Sequence, residues 1–228
     1  MDVPQTPSND IELVIFDLDG VLVDSEAVVI TIESQMLTDA GYPMTVDEIA
    51  DTCIGLSYAD MKALIEDRFS RPIQDQLFDD IQAAALAAFP NMLEPVAGVA
   101  DLLASSQLPR CIASSSDLDR IHLSLELTEL RTFFPSHTVF SAEMVSRGKP
   151  YPDLFLHAAE QMGADPQKCL VVEDSPHGVS AALSAGMHVV GFVGGLHARP
   201  SLTTRLNDAG ATTVLSTAEE LSALLALT

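Results

Sequence analysis

The sequence predicts an α/β fold in which a parallel sheet has helices on both faces and carries an inserted all-helical cap. Three observations predict it. Short apolar runs of strand length recur along the chain, and several end in an acid or a serine. Helix-length stretches separate them, opened by Ser-Pro or closed by Gly. One long segment, residues 24–92, holds helical patterns and no convincing strand. Strand–helix alternation builds a Rossmann-like layered core, and a helical block interrupting it reads as an insertion. The expected division is a core of residues 1–23 and 93–228 with a cap of residues 24–92.

Taken in order, residues 11–16 form an apolar run that delivers Asp17 at its carboxyl end, the pattern of a buried strand. In the cap, helical stretches at 25–40, 45–52, 57–69 and 75–89 are punctuated by Gly41-Tyr42-Pro43, Gly55 and Pro72. The core resumes near Pro95-Val96, with a helix expected at 97–106 and a strand at 110–113 ending at Ser114. A helix over 117–127 and a weak strand at 138–141 follow. The helix over 151–162 stops before Gly163, a C-cap signal. Residues 169–172 form a strand ending at Glu173-Asp174. The next helix, 175–185, has Ser175 as N-cap and Pro176 in its first turn. A strand at 188–192 runs into Gly194-Gly195, then come a helix at 199–208, a weak strand at 212–215 and a helix at 217–227.

Composition narrows the function classes. The 228 residues include 33 Asp+Glu against 11 Lys+Arg, a formal charge of −22. Lys62, Lys149 and Lys168 are the only lysines, so neither a phosphate backbone nor an anionic membrane finds a basic stripe here. Pro and charged residues interrupt every apolar run before the ~20 residues that a membrane span needs. Cys53, Cys111 and Cys169 lack metal-ligand or redox spacing, and the last two lie in apolar runs as small core residues. A reducing cytoplasmic location is the expectation, with a monomer as the default state. Met1 to Asp10 shows no signal-peptide pattern.

In a parallel sheet, ligands gather at the carboxyl ends of the strands. Asp17 and Asp19, Ser114, Lys149 and Glu173-Asp174 would all reach that edge. Two residues apart, Asp17 and Asp19 would face the same way if the strand continued. With Glu173-Asp174 opposite, so many carboxylates require a cation, and a hard divalent ion such as Mg²⁺ suits oxygen ligands. Lys149 offers a fixed positive charge for an anionic group. Ser114, with Ser115, offers hydroxyl and backbone N–H donors for phosphate oxygens. Asp17 then suits the part of nucleophile and Asp19 that of general acid and base.

In this order and context the residues resemble the four motifs of the haloacid dehalogenase superfamily, in the subgroup of β-phosphoglucomutase-like and phosphoglycolate-phosphatase-like hydrolases. Asp17-Leu18-Asp19-Gly20-Val21-Leu22-Val23-Asp24-Ser25-Glu26 matches the first motif, Ser114 the second, Lys149 the third and Glu173-Asp174-Ser175 the fourth. The resemblance spans essentially the whole chain. It implies that Asp17 becomes phosphorylated and that Mg²⁺ is held by Asp17, by Asp19 through its backbone carbonyl, and by Glu173 and Asp174. It also implies a cap that closes over a small phosphorylated metabolite. A dehalogenase replaces the second Asp, so Asp19 speaks against that activity. The mutases carry a His where this chain has Val29 and an Arg where it has Tyr58. The expected activity is therefore phosphomonoester hydrolysis, on a sugar or sugar-acid phosphate as in sugar-phosphate and 6-phosphogluconate phosphatases. A phosphosugar mutase is the alternative, and an inactive binding relative stands behind it. Glu26, Gly55, Leu56, Ser57 and Tyr58 are the candidate substrate contacts, although Leu56 and Tyr58 suit cap packing equally well. His177 reads as an exposed first-turn residue, and Gly194 to His197 as a glycine turn.

Overall fold

A computed structural model describes residues 11–53 and 58–227, leaving out the side chain of Tyr58. Strands β1 (Leu13–Phe16), β2 (Arg110–Ser114), β3 (Val139–Ser141), β4 (Cys169–Glu173), β5 (His188–Phe192) and β6 (Val214–Leu215) form one sheet of order β3-β2-β1-β4-β5-β6. Every pairing is parallel, and β1 lies at the centre between β2 and β4. The strands are apolar throughout because both faces are buried. Val14 and Phe16 face one apolar cluster, while Leu13 and Ile15 face another. That alternation is the two-residue period of a strand applied to a sheet with no wet face.

Helices α5 (Val99–Ser105), α6 (Leu118–Leu127) and α10 (Ala218–Leu225) cover the first cluster. Helices α7 (Asp153–Met162), α8 (Pro176–Ser184) and α9 (Pro200–Asp208) cover the second. Ser175 caps α8 with Pro176 behind it, and α7 ends at Gly163 in the left-handed region, both as expected.

Between β1 and α5 stand α1 (Ser25–Asp39), α2 (Val46–Thr52), α3 (Tyr58–Phe69) and α4 (Asp75–Met92). They bury an apolar cluster of their own, with Leu37, Ile49, Ile65 and Ile81 at its centre. Thr45 and Glu48 close a capping box at the start of α2. Helix α4 runs to Met92, past the stop expected near residue 89. Pro90 sits inside it at the cost of one backbone hydrogen bond near the helix end, and Leu93 N–H still reaches Phe89 O. The chains entering and leaving this helical unit run side by side. Val23 pairs antiparallel with Pro95, Asp24 N–H donates to Glu94 O at 3.0 Å, and Val96 N–H donates to Leu22 O at 3.0 Å. No helix among the described residues is long and apolar enough to cross a membrane.

Candidate active site

Three strand ends meet at the middle of the sheet. Asp17 follows β1, Ser114 ends β2 and Glu173 ends β4, with Asp174 next in the chain. Asp17 N–H donates to Val172 O at 3.0 Å, which fixes the first carboxylate beside the fourth strand. This is the switch point of a doubly wound sheet, because the chain runs from β1 through β2 to β3 at one edge and then crosses over to β4 on the other side of β1.

Oxygens of Asp17, Glu173 and Asp174 all lie within 4.8 Å of one another, and the three residues are buried. Lys149, on the loop after β3, reaches in with its side chain only 5% exposed. Its Nζ lies 2.9 Å from Asp17 Oδ1 and 2.5 Å from Glu173 Oε1. Glu173 Oε2 accepts from Ser175 N–H at 3.0 Å and Ser175 Oγ at 2.9 Å. The Glu173 carboxylate is thus tied on both oxygens, and one of its tasks is to hold Lys149. Burial pushes Asp17 up to about 7; Lys149 opposes the rise, and Glu173 and Asp19 add to it. Burial alone would lower the Lys149 ammonium, but Asp17 and Glu173 outweigh it and hold it above the ordinary lysine range. Asp174 is likewise raised, chiefly by burial.

Asp19 departs from the same-facing pair that the sequence suggested. The strand stops at Phe16, and the chain turns through Leu18, whose carbonyl accepts from Leu22 N–H and Val23 N–H. The two carboxylates therefore diverge. Asp19 accepts from Ser25 Oγ at 2.5 Å, Ser116 Oγ at 2.6 Å and Arg120 Nη2 at 2.8 Å. The carboxylates that come together are those of Asp17, Glu173 and Asp174, while Asp19, expected at a metal through its backbone carbonyl, turns its carboxylate to Ser25, Ser116 and Arg120. Gly20 completes the turn with φ +77°, and a Cβ there would lie 2.0 Å from Asp174 Oδ2.

A cavity of about 580 Å³ opens beside these groups. Asp17, Asp19, Asp174, Ser114, Ser115 and Ser116 line its floor. Ser114 is buried, and its Oγ accepts from Ser116 N–H at 3.1 Å. The cap side is formed by Glu26 and Val29 on α1 and by Gln82, Leu86 and Phe89 on α4. Glu26 is pushed up to about 7 by burial and by the nearby charges of Asp19 and Asp174. Gly55, Leu56 and Ser57 lie outside the described residues, as does the side chain of Tyr58, whose backbone opens α3.

Sequence reasoning passed over Ser116 and Arg120 as site residues and read His197 as part of a glycine turn. Arg120 lies in the first turn of α6, three residues after its cap Asp117, and its guanidinium stands 5.5 Å from the Phe89 ring centre. A helix following a strand that ends in a site residue starts at the same edge, and that was the available signal. His197 is 1% exposed, with Nε2 3.1 Å from Asp174 Oδ2. His177 is exposed, as expected of a first-turn residue.

Known proteins resemble this chain in sequence and fold. Residues 14–192 match the model of the haloacid dehalogenase-like hydrolases. The 6-phosphogluconate phosphatase of Escherichia coli is 28% identical over 83% of this chain and 86% of its own length. A probable pseudouridine-5'-phosphatase of Drosophila melanogaster is 33% identical over 77% of this chain and 79% of its own. The solved structure of a haloacid dehalogenase-like protein from Agrobacterium tumefaciens, itself of unknown function, superposes with a TM-score of 0.89 at 39% identity, covering 95% of this chain and 98% of that one. With its strand-end motifs, its helical cap and phosphatases among its relatives, the chain belongs to the haloacid dehalogenase-like hydrolase family.

Proposed function

We propose that the protein is a Mg²⁺-dependent phosphomonoesterase that cleaves a small sugar or sugar-acid phosphate through an aspartyl-phosphate on Asp17. The observation that carries this reading is the cluster of Asp17, Glu173 and Asp174 around Lys149, of which Asp17 and Asp174 line a cavity together with Asp19 and Ser114. Three buried carboxylates facing one ammonium leave an excess of negative charge. A hard divalent cation held by Asp17, the backbone carbonyl of Asp19 and Asp174, with Glu173 beside them, would fit that excess. Such an ion neutralises charge on the transferring phosphoryl group and favours ionised Asp17.

The chain supplies the remaining parts. Asp17 attacks phosphorus with its carboxylate oxygen, and the bond to the leaving oxygen breaks. Asp19 gives that oxygen a proton and later takes one from the water that cleaves the acyl phosphate. Ser114 and Ser115 bind phosphoryl oxygens, and Lys149 offsets their charge. A cavity of about 580 Å³ suits a metabolite and excludes a folded protein. Sugar-acid and nucleotide-type phosphates are named for two relatives, which supports a phosphorylated, hydroxyl-rich substrate. Val29 puts an apolar side chain on the cavity wall at the position where a mutase would carry a His, which supports hydrolysis over the mutase alternative. Absence of a basic surface agrees with a small-molecule substrate, and we place the enzyme in the cytoplasm as a monomer.

The deciding experiment measures phosphate release from sugar phosphates, 6-phosphogluconate, phosphoglycolate, nucleoside monophosphates and glucose 1-phosphate, with Mg²⁺ or with chelator. Release that needs Mg²⁺ and disappears in Asp17→Asn is the expected result. Release by Asp17→Asn at the parental rate would overturn the covalent step.

A further inference from the structure

We propose that His197 is a positioning residue for Asp174, fixing that carboxylate for the cation by a hydrogen bond from Nε2. The proposal rests on the metal reading given above. Each carboxylate of the cluster has its own tether. Asp17 has Lys149, and Glu173 has Lys149 and Ser175. For Asp174 the one hydrogen-bond donor among the described residues is His197, with Nε2 3.1 Å from Oδ2. Losing a group that orients a metal ligand in this way typically costs about 10–100-fold in metal affinity.

The surroundings are shaped to the ring. His197 is buried, and its other nitrogen, Nδ1, has no partner among the described residues, so the ring is anchored through Nε2 alone. Two glycines make room for it. A Cβ on Gly20 would lie 2.7 Å from His197 Cε1, and one on Gly195 would lie 2.8 Å from His197 Nδ1. The loop bearing the ring is pinned on either side. Leu196 N–H donates to Asp24 Oδ1 at 2.7 Å, where the cap begins, and Arg199 Nη2 lies 2.8 Å from Asp47 Oδ1 on α2. A ring held between two glycines on a tethered loop gives Asp174 one orientation.

The test is direct Mn²⁺ binding to substrate-free full-length protein, followed by electron paramagnetic resonance, in the parent, His197→Ala, His197→Gln, His197→Asn and Asp174→Asn. Leu196→Ala, at a side chain 72% exposed, serves as control. His197→Ala is expected to weaken Mn²⁺ binding about 10–100-fold. Gln places an amide nitrogen where Nε2 lies and should restore most of the affinity, whereas Asn is one carbon short and should not. The comparison of Gln with Asn holds even if the Ala variant fails to fold, because both keep a polar side chain of similar size. Equal affinity of Gln and Asn variants, or parental affinity in His197→Ala, would overturn the proposal while leaving the metal reading intact. A parent that binds no Mn²⁺, or binds it as well after Asp174→Asn, would overturn both.

Discussion

Replacing Gly178 by Ala sets two physical effects against each other. Gly178 lies in the first turn of α8 and has ordinary helical φ, so by intrinsic propensity Ala should stabilise the helix by up to about 1 kcal/mol. Packing reverses the sign. A Cβ at this position would lie 1.9 Å from Glu173 Cδ, 1.9 Å from Oε1 and 2.2 Å from Oε2. Ordinary carbon contacts begin near ~3.5 Å, so the carboxylate or the helix must retreat by about 1.5 Å. Glu173 is fully buried and accepts from Lys149 and Ser175, and a shift of that size breaks those bonds. Each charge-assisted bond lost costs about 1.5–3 kcal/mol, and overpacking by itself about 1–3 kcal/mol. The net expectation is a loss of roughly 3–5 kcal/mol, which lowers Tm by about 6–20 °C in a protein of this length. Calorimetry of the metal-free protein measures it. Glu173→Ala removes the clash, so Gly178→Ala added to that background should cost nothing more. A Gly178→Ala protein as stable as its parent would refute the geometry from which the clash follows.

Three further outcomes are expected. Asp19→Asn can accept from one of Ser25 and Ser116 on its oxygen and donate its amide to the other hydroxyl, but it cannot shuttle a proton, so kcat should fall by about 10²–10⁴ while Tm changes little; a kcat near the parental value in steady-state assays would exclude Asp19 as the acid and base. Lys149→Met leaves Asp17 and Glu173 buried without their cation and should cost about 3–5 kcal/mol in chelator. Asp17 is already raised above its ordinary 3.8, so the native state of this variant holds its proton to still higher pH, and the loss should be larger at pH 8 than at pH 6 in urea titrations; equal losses would contradict the pairing. Glu33 is buried in the cap, and burial followed by repulsion from Glu26 raises it from 4.5 to about 8. A raised carboxylate binds its proton more tightly in the native state, so native stability drains away as pH climbs from 4.5 to about 8. Glu33→Gln should abolish that drain, a gain of at most about 4–5 kcal/mol at pH 9 and little at pH 5; the same difference at both pH values in urea titrations would show that Glu33 does not titrate this way.

The fold was readable because a parallel sheet buried on both faces leaves a strong trace. Leu13 to Phe16, Cys111 to Ala113 and Cys169 to Val172 are unbroken buried runs, and each hands the next residue to the same edge. Asp17, Ser114 and Glu173 could be placed from that rule alone. Lys149 stands on a loop eight residues past β3, so the strand rule showed that it could reach the edge but not which groups it would pair with. The divergence of Asp17 and Asp19 escaped the sequence because it depends on where the strand stops, and the turn at Leu18 is set by hydrogen bonds from Leu22 and Val23. Ser116, Arg120 and His197 reach the site through tertiary packing. His197 gave one sign, a histidine beside paired glycines at a strand end, but the same letters describe an ordinary turn. The helix expected over 75–89 runs on to Met92 with Pro90 inside it, because a proline so near the end of a helix costs only one backbone hydrogen bond.

The paired chains at Val23 and Pro95 have a consequence for how the molecule is put together. They close the cap's two ends on each other at the rim of the core. Seen from the sheet, the whole helical unit is a loop already shut at its neck. Strands β1 and β2, neighbours across that long interval, therefore meet over a short effective tether once the neck has zipped. The same closure ties the two ends of the helical unit to each other, so the pairing of β1 with β2 is anchored at the neck and not along the length of the intervening chain. Asp17, Ser114, Lys149 and Asp174 lie on the core side of that neck, whereas Ser25, which donates to Asp19, and Asp24, which accepts from Leu196, lie just past it, so a change in the helical unit reaches the site first through those two residues.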